Sequence, residues 1–218
     1  MHNRQFTAQE QQTLRELIML RRDIRGNNFL SDPVSDEQIH ELLTAAALGP
    51  SVGFSQPWEF VVIRDNATKQ RVHQDYQIET ERAAGEFTTE KQAIYHQLKL
   101  EGILEAPVNI AVFYKPTTGP VLGQNSMAEA GEYSVVCAIQ NMWLMARSMN
   151  LGIGWVSIIN PETIAEILNA PKDRKLVAYL CVGHVKEFYS VPELETLKWA
   201  PRKPIDSFAF QEGFPESI

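Results

Sequence analysis

A single mixed α/β domain is what the sequence predicts, and three observations predict it. Two capping boxes open amphipathic segments near the N-terminus. Four apolar runs of strand length alternate with helical stretches. No run is apolar for the roughly 18 or more residues that a membrane span needs.

Taken in order, Thr7 and Glu10 form the first capping box, in which each side chain satisfies a backbone N–H left free at the helix start. Leu14, Leu17 and Ile18 then recur at helical spacing. Ser35 and Gln38 open a second helix, with Ile39, Leu42, Leu43 and Ala46 on one face and Gly49-Pro50 as its stop. Phe60 to Ile63 reads as a buried strand, and Asn66 is the expected cap of the next helix. From Asn66 to Glu101 the chain is charged and weakly periodic, which predicts one or two surface helices with a mobile link near Gly85. Val108 to Phe113 reads as a second strand. Residues 116–125 hold two Pro and two Gly and predict a loop. A long apolar helix is expected from Tyr133 to about Asn150, then a strand over Ile153–Ile159. Pro161 opens a short helix that ends before Pro171, and Leu176–Val182 is the fourth strand. The tail from about residue 186 carries Pro192, Pro201, Pro204 and Pro215. Its Phe188, Tyr189, Trp199, Phe208, Phe210 and Phe214 make it too apolar to float, so it is expected to pack on the body or on a partner subunit. The whole of 1–218 reads as one domain with that tail.

The chain has 218 residues, 44% hydrophobic and 22% charged, which is ordinary globular composition with room for a sizeable core. Twenty basic residues against 27 acidic ones give a net charge of −7, which disfavours a nucleic-acid partner because phosphate backbones need a basic face. The polar start, Met1 to Gln5, lacks the apolar core of a secretory signal, so a cytoplasmic location is expected, with no membrane partner. Cys137 and Cys181 each sit in an apolar run and read as buried, inert thiols. The five His are scattered without metal-binding spacing, and no metal site is expected.

Three local patterns hold candidate chemistry. In Arg21-Arg22-Asp23-Ile24-Arg25-Gly26-Asn27, three guanidinium groups fall within five residues of an acidic protein. Arg21 and Arg25 stand at i and i+4, so a helix end puts them on one side, where planar forks suit a phosphate. A solvated helix end whose arginines favour the C-terminal dipole explains the same residues. In Pro50-Ser51-Val52-Gly53-Phe54-Ser55-Gln56-Pro57-Trp58, hydroxyls, an amide and an aromatic ring sit on one short loop. The amide can match the edge of a heterocycle; a plain turn with Phe54 and Trp58 in the core is the alternative. Gly152-Ile153-Gly154-Trp155-Val156-Ser157 fails as a dinucleotide fingerprint, since a helix precedes it and Ser157 stands at the third glycine position. It reads better as a helix end running into a strand, with small residues where something flat comes close.

Together and in this order, the arginine-rich segment, the Pro-Ser-x-x-x-x-Gln-Pro-Trp loop and the Gly-x-Gly-Trp strand entry resemble the FMN-dependent nitroreductase superfamily. Leu98-Lys99-Leu100-Glu101-Gly102-Ile103, Tyr133-Ser134-Val135-Val136-Cys137, Gly154-Trp155-Val156-Ser157-Ile158 and Ala178-Tyr179-Leu180-Cys181-Val182-Gly183 extend the resemblance over nearly the whole chain. Members commonly carry Ser where this chain has Asp23 and Asn where it has Phe54. Those departures resemble the branch that cleaves its flavin.

The resemblance implies an α+β fold, a nitroreductase-like FMN-binding sandwich with a mixed central sheet flanked by helices, assembled as an intertwined homodimer with flavin sites at the interface. It implies an oxygen-dependent fragmentation of reduced FMN, with the flavin as substrate and the lower axial base of vitamin B12 as product. O2 is then the co-substrate, and NAD(P)H enters indirectly, through a flavin reductase that supplies the reduced flavin. Arg21, Arg22 and Arg25 are implied to hold the phosphate and ribityl chain, with Asp23 and Ile24 in the same binding segment. Ser51 and Gln56 are implied to border the isoalloxazine, in one arrangement from the other subunit. Gly154 lets the flavin approach the backbone, and Ser157 lies near its reactive edge. Arg202 in the tail is a further candidate for phosphate contact. Of these, Asp23 and Ser157 are the expected catalytic pair. A carboxylate kept ionised beside the arginines can act as base, and a hydroxyl can relay a proton. An ion pair for Asp23 and a backbone-bonded strand serine for Ser157 are the plainer readings. An FMN-retaining NAD(P)H-dependent nitro- or flavin reductase and a non-catalytic flavin carrier are the competing functions. A flavin-cleaving enzyme should close over its substrate, and residues 80–100 are the expected lid.

Overall fold

The computed structural model describes residues 3–88, 92, 95 and 98–215. Both capping boxes form as the sequence predicts, at Thr7 and Glu10 ahead of α1 (Ala8–Leu20) and at Ser35 and Gln38 ahead of α2 (Asp36–Ala47). β1 (Trp58–Ile63) follows the loop after α2. The cap of α3 (Asn66–Ala84) is Asp65 and not Asn66, because the Asp65 carboxylate accepts both the backbone N–H and the hydroxyl of Thr68 at 2.7 Å. β2 (Val108–Tyr114), α4 (Ala130–Ser148), β3 (Leu151–Val156), α5 (Pro161–Ile167) and β4 (Lys175–His184) complete the body.

The strands form one sheet in the order β1-β2-β4-β3, all pairs antiparallel. The mixed character expected of the sheet rests on one further pairing, a parallel bridge from Asp23 to Ile153 outside the named strands. Side chains of the two central strands alternate between faces, as strand geometry demands. Ile110, Val112, Leu180 and Val182 face a core filled by α2 and α4, with Leu42, Ala46, Ile139 and Met142. Ala111, Phe113, Tyr179 and Cys181 face a second core, with Val72 and Tyr76 of α3 and Ile164 of α5. The sheet is thus covered on both faces, which is why β2 and β4 read as continuous apolar runs.

Some expectations need correction. α3 lies on the surface, as expected, but buries one face with Lys69, Val72, Asp75, Tyr76 and Ala84. β3 stops at Val156 instead of Ile159, because the chain turns at Ser157 towards the Asn160 cap of α5. Cys181 is buried but Cys137 is exposed on the outer face of α4. α1 buries no residue in the single chain, leaving Leu14 and Ile18 about half exposed. Residues 89–91, 93, 94, 96 and 97 of the expected lid lie outside the described residues. The chain divides into two compact units, Met1–Phe188 and Tyr189–Ile218. The second contains α6 (Glu193–Thr196) and a 3-10 turn at Ile205–Ser207, with Phe208 and Phe214 exposed. Among the described residues no helix is long and apolar enough to cross a membrane.

Candidate active site

α1 ends at Leu20, and residues 21–25 are extended rather than helical. Arg21 and Arg25 share a side, as expected, but through the two-residue repeat of an extended chain and not the four-residue repeat of a helix. The same repeat places Asp23 between them and turns Arg22 and Ile24 inward, where they are 8% and 2% exposed. Arg22 Nη1 donates to the carbonyls of Met19 at 2.8 Å and Arg21 at 2.6 Å, closing the end of α1. Arg21 lies over the Trp143 ring, 4.7 Å from its centre, a cation–π contact that fixes the guanidinium beside α4.

This segment docks on β3. Ile24 donates its N–H to Ile153 at 3.0 Å, and the Asp23 carboxylate accepts the Trp155 N–H at 2.8 Å. Gly154 makes that docking possible: a Cβ there would lie 2.1 Å from the Ile24 carbonyl oxygen. Within the chain, the group that closes on Gly154 is its own backbone, at the Ile24 carbonyl. Ile24 likewise has its side chain in the core, beside Phe29 and Ile103.

Asp23 is held from both ends of its carboxylate, by Trp155 through Oδ1 and by Arg25 at 2.5 Å through Oδ2. Burial pushes its carboxyl above the ordinary aspartate range, against Arg25, the Trp155 N–H and Arg21, all of which pull it down. Desolvation outweighs the arginines in setting the direction of that shift. Ser157 stands two residues beyond Trp155, exposed, and its hydroxyl has no hydrogen bond within the described residues. It is not the backbone-bonded strand serine of the plainer reading.

Sequence reasoning missed what holds Arg25. Its Nη1 donates to the Leu100 carbonyl at 2.9 Å, and the Gly26 N–H donates to the Glu101 carbonyl at 2.7 Å. The Glu101 side chain is buried, receiving Lys99 Nζ at 2.5 Å and the Ile103 N–H at 2.6 Å. A glutamate before a glycine carries no signal of its own; only its place in the resembling segment 98–103 marked it.

Ser51 and Gln56 come together, with Ser51 Oγ accepting the Gln56 N–H at 3.1 Å across a turn of positive φ at Gly53, Phe54 and Gln56. The loop is tied to the start of α4, where Val52 donates to Ser134 Oγ at 3.0 Å. Arg21 meets the same helix at Trp143, roughly 13 Å further along at 1.5 Å per residue. One chain therefore holds the two motifs towards opposite ends of α4. Around the loop, Leu48, Phe54 and Leu122 are 78%, 82% and 86% exposed, an apolar surface unusual for an isolated chain. Arg202 belongs to the second unit, Tyr189–Ile218.

Comparison with known proteins places these features. Residues 18–184 match the nitroreductase family. A 5,6-dimethylbenzimidazole synthase of Rhodospirillum rubrum is 44% identical over 190 residues, covering 86% of this chain and 89% of that protein. A second, from Rhodobacter capsulatus, is 34% identical, covering 92% and 97%. Among solved structures, an oxidized iodotyrosine deiodinase bound to FMN and 3-iodo-L-tyrosine superposes with a TM-score of 0.73 at 18% identity, covering 92% of this chain and all of that one.

Proposed function

The chain belongs to the nitroreductase family, and from that premise we propose that it acts as a 5,6-dimethylbenzimidazole synthase, fragmenting reduced FMN with O2 to give the lower ligand of vitamin B12. The observation that carries this is Asp23, a carboxylate fixed between Arg25 and the N–H of Trp155, two residues before Ser157, whose hydroxyl has no hydrogen bond among the described residues. The 44% identity to a curated synthase over most of both chains supports the same activity.

The residues present fit a flavin phosphate. Arg21, Asp23 and Arg25 leave a net positive charge on the exposed side of the segment, in a chain of net charge −7. Arg21 and Arg25 hold the phosphate and ribityl chain, while Arg22 keeps the segment in place by closing α1. Reduced flavin supplies the electrons for oxygen and the carbon skeleton of the product. Asp23 takes a proton from the ribityl chain, and burial makes its carboxylate a stronger base than an ordinary aspartate. The Ser157 hydroxyl donates to or accepts from the reacting edge of the ring. Ser51 and Gln56 border the ring from the second subunit of a homodimer, an arrangement supported by their distance along α4 from Arg21 and by the exposed Phe54 and Leu122. A separate reductase, drawing on NAD(P)H, supplies the reduced flavin. In aerobic turnover of reduced FMN, 5,6-dimethylbenzimidazole should accumulate; return of all the flavin as intact FMN overturns the proposal in favour of a reductase or carrier.

A further inference from the structure

The chemistry above makes no use of Asp75, yet α3 turns this carboxylate inward until it is 6% exposed. Its Oδ2 accepts the backbone N–H of Asn160 at 2.7 Å. Asn160 in turn caps α5, its side-chain oxygen accepting the N–H groups of Glu162 at 2.9 Å and Thr163 at 3.1 Å. One buried charge on α3 thus fixes the residue at which the chain leaves β3 and enters α5. Ser157 lies on the short arc just before it. At one end of that arc Val156 pairs with Tyr179 of β4; at the other, Ile159, next to the pinned Asn160, is buried in the same core as Val72 and Tyr76 of α3.

Resting on the synthase reading, we infer that Asp75 is a positioning residue for Ser157. It sets where the turn lies, and so where the serine hydroxyl stands relative to the docked Asp23 segment. A carboxylate accepting a backbone N–H makes one of the stronger hydrogen bonds, and losing it leaves a buried donor without a partner. The turn would then be free to relax towards water, carrying Ser157 with it. Asp23 and Arg25 are anchored through β3 and residues 100–101, so flavin binding is unaffected. Asp75 therefore bears on the fate of bound flavin and not on its affinity.

The test uses the full chain, reduced FMN at saturation and air, and reads the fraction of oxidised flavin that ends as 5,6-dimethylbenzimidazole, alongside FMN affinity. Asp75→Ala should lower that fraction roughly tenfold, the effect on a barrier of about one lost charge-assisted bond, with FMN affinity within about twofold. Asp75→Asn, whose amide oxygen can take the same N–H, should recover most of the loss. If Asp75→Ala does not accumulate as folded protein, Asp75→Ser, with a hydroxyl one bond too short to reach Asn160, is read in its place. A wild-type product fraction in the alanine or serine variant overturns the inference. So does a loss of product matched by loss of FMN affinity, or an asparagine variant as poor as the alanine one. A wild-type chain that yields no benzimidazole removes the synthase reading first, before any substitution is made.

Discussion

The Asp23 carboxylate accepts the Trp155 N–H at 2.8 Å while pairing with Arg25 at 2.5 Å, so the proposed base also fastens its own segment to β3. Asp23→Asn keeps an oxygen for Trp155 but cannot take a proton. FMN binding should persist and product should be lost. Because burial raises the Asp23 pKa, product formation in the wild type should fall as pH drops through a value above the 3.8 of ordinary aspartate. The sign for stability is opposite: a raised native pKa means the ionised form weakens folding above it. At pH 7 the Asn variant should melt no lower than wild type, and the gap should close on acidification. A steep loss of Tm in the variant at pH 7 would contradict this.

Arg25 and Arg22 should separate cleanly. Arg25→Ala removes a phosphate donor and should weaken FMN by roughly 10- to 100-fold, from about 1.5–3 kcal/mol for a charge-assisted bond, while riboflavin binding changes little. Arg22→Ala should instead lower Tm, since its guanidinium closes α1. Equal weakening of both ligands by Arg25→Ala would remove the phosphate role.

Gly154→Ala should be severe despite its size. The added Cβ, 2.1 Å from the Ile24 carbonyl oxygen, forces residues 22–25 away from β3. Overpacking of this kind costs about 1–3 kcal/mol, and FMN binding should fall with stability. Calorimetry and flavin titration on one preparation check both.

Glu59 lies beside Arg174, with contacts of 2.5 and 3.2 Å, and beside Lys115 at 3.1 Å. The Arg174 bond above all holds its carboxyl below the usual glutamate value of 4.5. The stabilisation is therefore present above pH 4.5 and lost as pH falls through the lowered value. Glu59→Gln should cost under about 1 kcal/mol at pH 7, this being a partly exposed pair, and the two proteins should converge in strong acid. A gap that widens on acidification would reverse the sign.

Sedimentation should give roughly twice the 24.7 kDa of one chain, since the exposed Leu48, Phe54 and Leu122 need a cover. A stable monomer that binds FMN tightly would end the shared-site model.

What the sequence made legible was local. Thr7 with Glu10 and Ser35 with Gln38 carry their own helix starts, and the continuous apolar runs of β2 and β4 follow from burial on both faces. The end of β3 was hidden because Ile158 and Ile159 continue an apolar run; the turn is imposed by Asp75, which is distant in sequence. Arg21 and Arg25 were rightly placed together for the wrong period, since nothing local says that α1 stops at Leu20. Glu101 and Leu100 touch the arginine segment only after the chain has folded back on itself.

The bridge between Asp23 and Ile153 has a consequence for solubility. β3 ends the sheet, and its outward N–H and C=O groups would otherwise template pairing with another chain. Ile24 occupies the Ile153 carbonyl and Asp23 occupies the Trp155 N–H. The segment proposed to grip the substrate therefore also seals a sticky border of the sheet. Damage to it invites aggregation in the same stroke as it abolishes catalysis.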